Sequence, residues 1–371
     1  MIPRVRMLTF LGLIVFAFGL PGCGSGSSDP SENNGGGGGS VTLPQRQAAA
    51  EATVKDDSQC TALTPFYWEI GDENGALDSG TGGDNSNTPP SSETTMAIAS
   101  ASKWIFGAYA LEKLGVSASN PLTADEVEEL NFTSGYDHMA DSTCFLQDTV
   151  AGCFGASNPL GGLNSDRHTS DIGHFFYNGG HMQALAVNSL GLGGDYISFI
   201  APTPKLATAI ESYVGQDLTL YYSNPSLAGG VDTTPATYAA FLRKILNGDL
   251  RMKDYLSADA VCAHANSTDC PTAIYSPINQ SAPGTSNNVS DEAWHYSLGH
   301  WIEDDPKNGD GAFSSPGADG FYPWIDASKT YYGVLARFDS DPGAKPGQEP
   351  YVLSVYCGRK IRKAWLTGQE Q

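Results

Sequence analysis

Residues Met96–Gly115 read MAIASASKWIFGAYALEKLG. Ser100 and Lys103 stand one helical turn apart at the front of an apolar, Ala-rich run. Ser-x-x-Lys at a helix start lets a lysine amine draw the proton from a serine hydroxyl. Trp104, Ala108 and Leu111 fall on one stripe of the expected helix, and Gly115 is suited to the left-handed stop position. A Ser-x-x-Lys match is common by chance, so its meaning depends on what the rest of the chain places around it.

The chain has 371 residues, a net charge of −21 and 20 Lys plus Arg. That length supports one large domain or two small ones. No basic cluster follows the first few residues, which argues against a nucleic-acid partner or an electrostatic hold on acidic lipid.

At the start, Arg4 and Arg6 precede the apolar run Met7–Leu20, too short to span a bilayer and suited to an export signal. Leu20-Pro21-Gly22-Cys23 resembles a bacterial lipobox, which implies a signal peptide over 1–22 and lipidation of Cys23. Residues 23–44 are expected to form a Gly/Ser-rich tether, with the folded domain over 45–371. As a coil, Gly24–Ser40 would span on the order of 20–25 Å. This points to the bacterial cell envelope, with attachment to a membrane through the anchor. The remaining cysteines are even in number, as disulfides in an exported protein require. Proximity in sequence pairs Cys144 with Cys153 and Cys262 with Cys270, leaving Cys60 for Cys357. Nothing in the spacing supports a metal site, and no cofactor is implied. His174, His181, His295 and His300 lack matching carboxylates and are assigned structural or substrate-contact roles.

Along the chain, a helix is expected near Leu43–Val54, a strand at Pro65–Ile70 with a hairpin signal at Asn74-Gly75, and loop over Asp78–Thr95. Thr123 and Glu126 match a capping box for a helix to Leu130. Further helices are expected after the turn in His174–Asn188 and near Pro204–Val214. Thr234-Pro235 opens another, which Asn247-Gly248 closes. His295–Ile302 reads as one strand, and Gly320–Ile325 pairs with Thr330–Phe338. Pro350–Trp365 is a closing helix with Leu353, Cys357, Ile361 and Trp365 on one face. The fold class is α+β: an antiparallel sheet from about 60–99 and 292–371, flanked by N- and C-terminal helices, with a mostly helical lobe over about 100–291.

Ser100-Ala101-Ser102-Lys103 is followed by Phe176-Tyr177-Asn178, by Gly229-Gly230 ahead of a helix, and by Ser314-Ser315-Pro316-Gly317 on a late strand. This order resembles the serine β-lactamase and penicillin-binding superfamily, most closely the class C-related hydrolases and esterases, over roughly 65–366. The resemblance implies a β-lactamase-like fold and acyl-enzyme chemistry. It makes Ser100 the nucleophile and Lys103 its base, and gives Asn178 a place at the substrate. Backbone N–H groups of Ser100 and Ala318 would form the oxyanion hole, beside Ser315 and Gly317 on the cleft strand.

Two positions depart from the family pattern. Phe176 occupies the usual tyrosine position, so the phenol falls to Tyr177; Tyr222-Ser223-Asn224 comes too late in the order. Ser315-Pro316-Gly317 replaces Lys/His-Thr-Gly and removes the cation that holds a substrate carboxylate, a charge-assisted contact. The reading is a serine hydrolase acting on a small-molecule or peptide ester or amide. Activity on β-lactam or D-Ala-type peptides ranks second. The rival is an inactive ligand-binding protein on the same scaffold. Oligomeric state is not legible.

Overall fold

The computed structural model describes residues 41–197, 205–285, 289–341 and 343–371. The expected signal peptide, the Cys23 lipidation site and the tether to Ser40 lie outside these. Among the described residues, the first helix starts two residues ahead of the domain boundary expected at 45. Helix α1 spans Leu43–Asp56, with Thr42 and Gln45 in a capping box and Pro44 in the first turn, where a missing N–H costs nothing.

The main sheet holds β1 (Phe66–Gly71), β2 (Ala76–Gly82), β3 (Val261–Cys262), β4 (His295–Ser297), β5 (His300–Glu303), β6 (Ala312–Ser314), β7 (Tyr322–Ile325) and β8 (Tyr332–Ala336). Their order is β2-β1-β8-β7-β6-β5-β4-β3, and every pairing is antiparallel. First and last segments therefore share one sheet. Helix α1 packs on the C-terminal helix Pro350–Thr367, which also touches β7 and β8. The helices α2 (Ser102–Leu114) and α3 (Pro235–Asn247) pack against β5 and against β7 and β8, respectively.

Three expectations need correction. Ala76–Gly82 is a strand where loop was expected from residue 78 onward. It is the sheet edge, built from small and polar residues without the β-branched signal of a buried strand; Gly80 leaves room for the Trp68 indole. His295–Ile302 is two strands, turned at Leu298 (φ 42°) and Gly299 (φ 94°). Two successive positive φ values suit a two-residue hairpin, but leucine in the first place carries no sequence signal. Tertiary contacts hold it there: the Leu298 N–H donates to Asn131 Oδ1 at 2.6 Å, and the side chain is buried. Finally, Val261–Cys262 joins the main sheet although it lies within the expected helical lobe.

Helix α2 is buried all round from Ser102 to Leu111, beyond the single stripe expected, as an axial core helix requires. A Cβ on Gly107 would come within 2.3 Å of the Leu298 carbonyl oxygen, and one on Gly299 within 2.7 Å of the Lys103 carbonyl oxygen. These glycines seat the β4–β5 hairpin on the helix that carries the Ser-x-x-Lys residues. Gly115 closes α2 at φ 64° and Gly248 closes α3 at φ 84°, the left-handed stop that glycine adopts without penalty.

Three disulfides join Cys60–Cys357, Cys144–Cys153 and Cys262–Cys270. Arg362, fully buried on the C-terminal helix, pairs with Glu303 at 2.9 Å and Asp310 at 2.7 Å, and Arg359 bridges Glu303 and Glu292, both at 2.7 Å. Two arginines hold the buried Glu303 carboxyl down to about 2, against the burial that would raise it.

Candidate active site

Strand pairing fixes the turn before α2. Met96 and Ala97 pair antiparallel with Thr233 and Asp232, and the Ile98 N–H donates to the Val231 carbonyl at 3.1 Å. Ala99 follows with φ 43°, a costly backbone for a residue with a Cβ. The chain then enters a short 3₁₀ turn, Ala99–Ala101, that runs into α2. Ser100 is half-buried at this turn. Its neighbour Ser102 is buried, with Oγ accepting from the Val231 N–H at 3.2 Å, so Ser102 is spent on structure.

Lys103 is buried. Its Nζ donates to Ser100 Oγ at 2.9 Å and to the Ala228 carbonyl oxygen at 2.7 Å. The Gly229-Gly230 turn carries Ala228 into this position; a Cβ on Gly230 would lie 2.2 Å from the Asn224 carbonyl oxygen. Burial lowers the lysine pKa to about 8, while the Asp141 charge acts in the opposite direction. Roughly a tenth of the amine is then neutral at pH 7, the form that can accept a proton.

Phe176 and Tyr177 lie in extended backbone beside Ala273–Tyr275, and alternation turns them apart. Phe176 packs on the Tyr275 ring, with centroids 5.3 Å apart. Tyr177 stacks on Trp301 at 5.1 Å, and Lys103 Nζ lies 4.7 Å from its ring centroid. Burial pushes the phenol well up from its ordinary value, so it stays protonated; the Ser100 hydroxyl and Trp301 act in the opposite sense. Tyr177 thus lines one cleft with Ser100. Tyr222 is buried in the core and does not line it.

The segment after β6 meets Ser100 from the other side. Ser315 Oγ donates to the Ser100 carbonyl oxygen at 3.0 Å. Gly317 lies so close to Ile98 that a Cβ would stand 2.2 Å from its carbonyl oxygen. The Gly317 N–H donates to Phe321 at 2.7 Å, which turns Ala318 outward into the cleft. Among the described residues, neither the Ser100 N–H nor the Ala318 N–H has a backbone acceptor. Free N–H donors in the same cleft as a serine hydroxyl are the groups an oxyanion would require.

Asn178 takes a different place from the one expected. Its Oδ1 accepts from the Gly180 N–H at 2.8 Å and its Nδ2 donates to the Met139 carbonyl at 3.0 Å. Both ends of the amide hold the loop before helix Gly180–Asn188, and Asn178 does not line the cleft. Asp141, which the sequence did not single out, does line it; Ser226 Oγ donates to its Oδ1 at 3.2 Å.

The cleft has a volume of about 320 Å³, with Trp301, Tyr275, Tyr351 and Ile278 among its walls and Ala318 and Pro316 at the strand side. The buried histidines are structural. His181 stacks on Phe132 and is pushed down to about 3 by burial; His300 stacks on Trp104 and is pushed down to about 4 for the same reason. Asp137, His168 and Asp171 approach one another within 4.8 Å. They do not line the cleft, and His168 Nδ1 pairs directly with Asp137 at 2.6 Å.

No protein-family model matches the chain, and no curated protein matches it. Solved structures do. A protein of Bacteroides dorei assigned as a β-lactamase superposes with a TM-score of 0.53 at 20% identity, over 83% of this chain and 95% of that one. A β-lactamase from Mycobacterium bovis gives 0.50 at 14% identity, over 82% and 94%. EstCE1, a hydrolase with promiscuous acyltransferase activity, gives 0.50 at 12% identity, over 86% and 100%. The chain has the β-lactamase-like α+β fold.

Proposed function

We propose that this protein is a serine hydrolase that cleaves an ester or amide through an acyl-enzyme on Ser100. The observation that carries the reading is the hydrogen bond from buried Lys103 to Ser100 Oγ, 2.9 Å, in a cleft with two unengaged N–H donors. Ser100 Oγ attacks the substrate carbonyl carbon as its proton passes to neutral Lys103. The N–H groups of Ser100 and Ala318 stabilise the resulting oxyanion. Collapse breaks the bond to the alcohol or amine, which takes the proton back by way of Lys103 and the Tyr177 hydroxyl. Water then attacks the acyl carbon, returning the proton to Ser100 and releasing the acid.

Ser315 favours esters or amides over penicillin-type substrates. It carries no charge, and its hydroxyl is engaged by the Ser100 carbonyl, so it supplies no counter-ion for a substrate carboxylate. The names of the structural relatives, two β-lactamases and a hydrolase with acyltransferase activity, are compatible with either substrate type. We place this hydrolase in the bacterial envelope, held by a lipid on Cys23.

The test is labelling of the folded protein by an alkyl fluorophosphonate. Labelling that Ser100→Ala abolishes supports the proposal. Absence of labelling, with ligand binding unchanged in Ser100→Ala, would instead identify an inactive binding protein.

A further inference from the structure

Asp141 and Glu349 both line the cleft that contains Ser100. Each carboxylate is held: Asp141 accepts from the Ser226 hydroxyl at 3.2 Å and Glu349 from the Gly347 N–H at 2.7 Å. No arginine or lysine forms an ion pair with either among the described residues. The lining contains no Arg, Lys or His among those residues, and the one nearby cation, Lys103, is buried and bonded to Ser100 and Ala228.

Aromatic residues share that lining with the carboxylates. Tyr275, Tyr351 and Trp301 share the lining, and Tyr351 donates its hydroxyl to the Pro277 carbonyl at 2.6 Å, which fixes its ring. Carboxylates over aromatic walls attract a cation twice, by direct charge and by the negative ring faces. The same arrangement repels an anionic ligand, because no cation in the lining faces it and the buried Lys103 is already bonded to Ser100 and Ala228.

We infer that the cleft selects acyl substrates bearing a cationic group, with Asp141 and Glu349 as its charge-selecting residues. This rests on the hydrolase reading for turnover, but not for binding. Charge selection here is a difference between substrates, because Asp141 also acts on Lys103 and would change the rate of every substrate alike.

Three p-nitrophenyl esters of matched length test it: the 4-(trimethylammonio)butanoate, its neutral isostere 5,5-dimethylhexanoate, and the mono-ester of glutarate. Measured at low salt, where surface charge is least screened, kcat/KM is expected to be at least tenfold higher for the cationic than for the anionic ester, with the neutral one between. Asp141→Asn and Glu349→Gln should each lower the cationic-to-neutral ratio about threefold or more. Equal or reversed preference, or a ratio that neither substitution moves, would overturn the inference. If no ester turns over and no fluorophosphonate label attaches, the hydrolase reading fails alone. Equilibrium binding of the three corresponding N-methyl amides to Ser100→Ala protein then decides the charge preference. The same order supports it, and a flat or reversed order refutes it.

Discussion

Lys103 Nζ lies 4.7 Å from the centroid of the Tyr177 ring, a ring that also stacks on Trp301. The tyrosine is thereby held beside the serine–lysine pair by its ring, and its hydroxyl is left for chemistry. Phe176, one residue earlier, is turned onto Tyr275.

This separation of ring and hydroxyl sets the first prediction. Tyr177→Phe keeps the stacking and the contact with Lys103 while removing the hydroxyl proposed to transfer the proton. Acylation should slow about 100-fold, the usual weight of one acid–base group, with the melting temperature unchanged. A Tyr177→Phe protein with full turnover would reduce Tyr177 to packing.

The pH profile of acylation follows from Lys103. In the proposed reaction only the neutral amine accepts the serine proton, and its pKa is lowered to about 8. Acylation should therefore rise as pH increases through about 8 and be lost below it. Asp141 raises that pKa, so Asp141→Asn should move the midpoint to lower pH. Stopped-flow measurement of the acylation burst reads both; an unmoved midpoint in the variant would remove Asp141 from the electrostatics of the site.

Gly317→Ala tests the strand side. Its Cβ would stand 2.2 Å from the Ile98 carbonyl oxygen, displacing the segment that carries Ala318, the proposed second oxyanion donor. Loss of one oxyanion donor costs about 100- to 1,000-fold in kcat, and kcat should fall more than KM rises. Unchanged steady-state kinetics would mean that Ala318 does not serve the oxyanion.

Much of this architecture was legible in local chemistry. Thr123 with Glu126, Thr234-Pro235, Gly115 and Gly248 mark helix ends because capping is decided within a few residues. The turn at Leu298-Gly299 escaped, since it depends on Asn131 and the packing of Gly107, both distant in sequence. Asp141 was equally hidden: it sits in a Gly- and Asp-rich stretch without periodicity, and only folding brings it near Lys103. Asn178 misled for the opposite reason, a motif position whose amide the local loop consumes.

The buried pairs of the C-terminal helix were also beyond sequence reading, and they carry a stability prediction. Arg362→Met leaves Glu303 without its fully buried arginine partner, and removing one partner of a buried pair costs about 3–5 kcal/mol. Because the folded Glu303 pKa is depressed to about 2, its contribution is present above the ordinary glutamate value and is lost as pH falls toward 2. Urea denaturation of both proteins at pH 7 and pH 3 should show a smaller difference at the lower pH. A difference that does not shrink would contradict the assignment to this ion network.

The most direct test of the central claim is where a covalent inhibitor lands. After reaction with an alkyl fluorophosphonate, intact mass and peptide mapping should show one adduct per chain, on Ser100. Neighbouring Ser102, whose hydroxyl is bonded to Val231, should remain unmodified, and Lys103→Ala should suppress the reaction. An adduct elsewhere, or none on folded protein, would contradict Ser100 as the nucleophile.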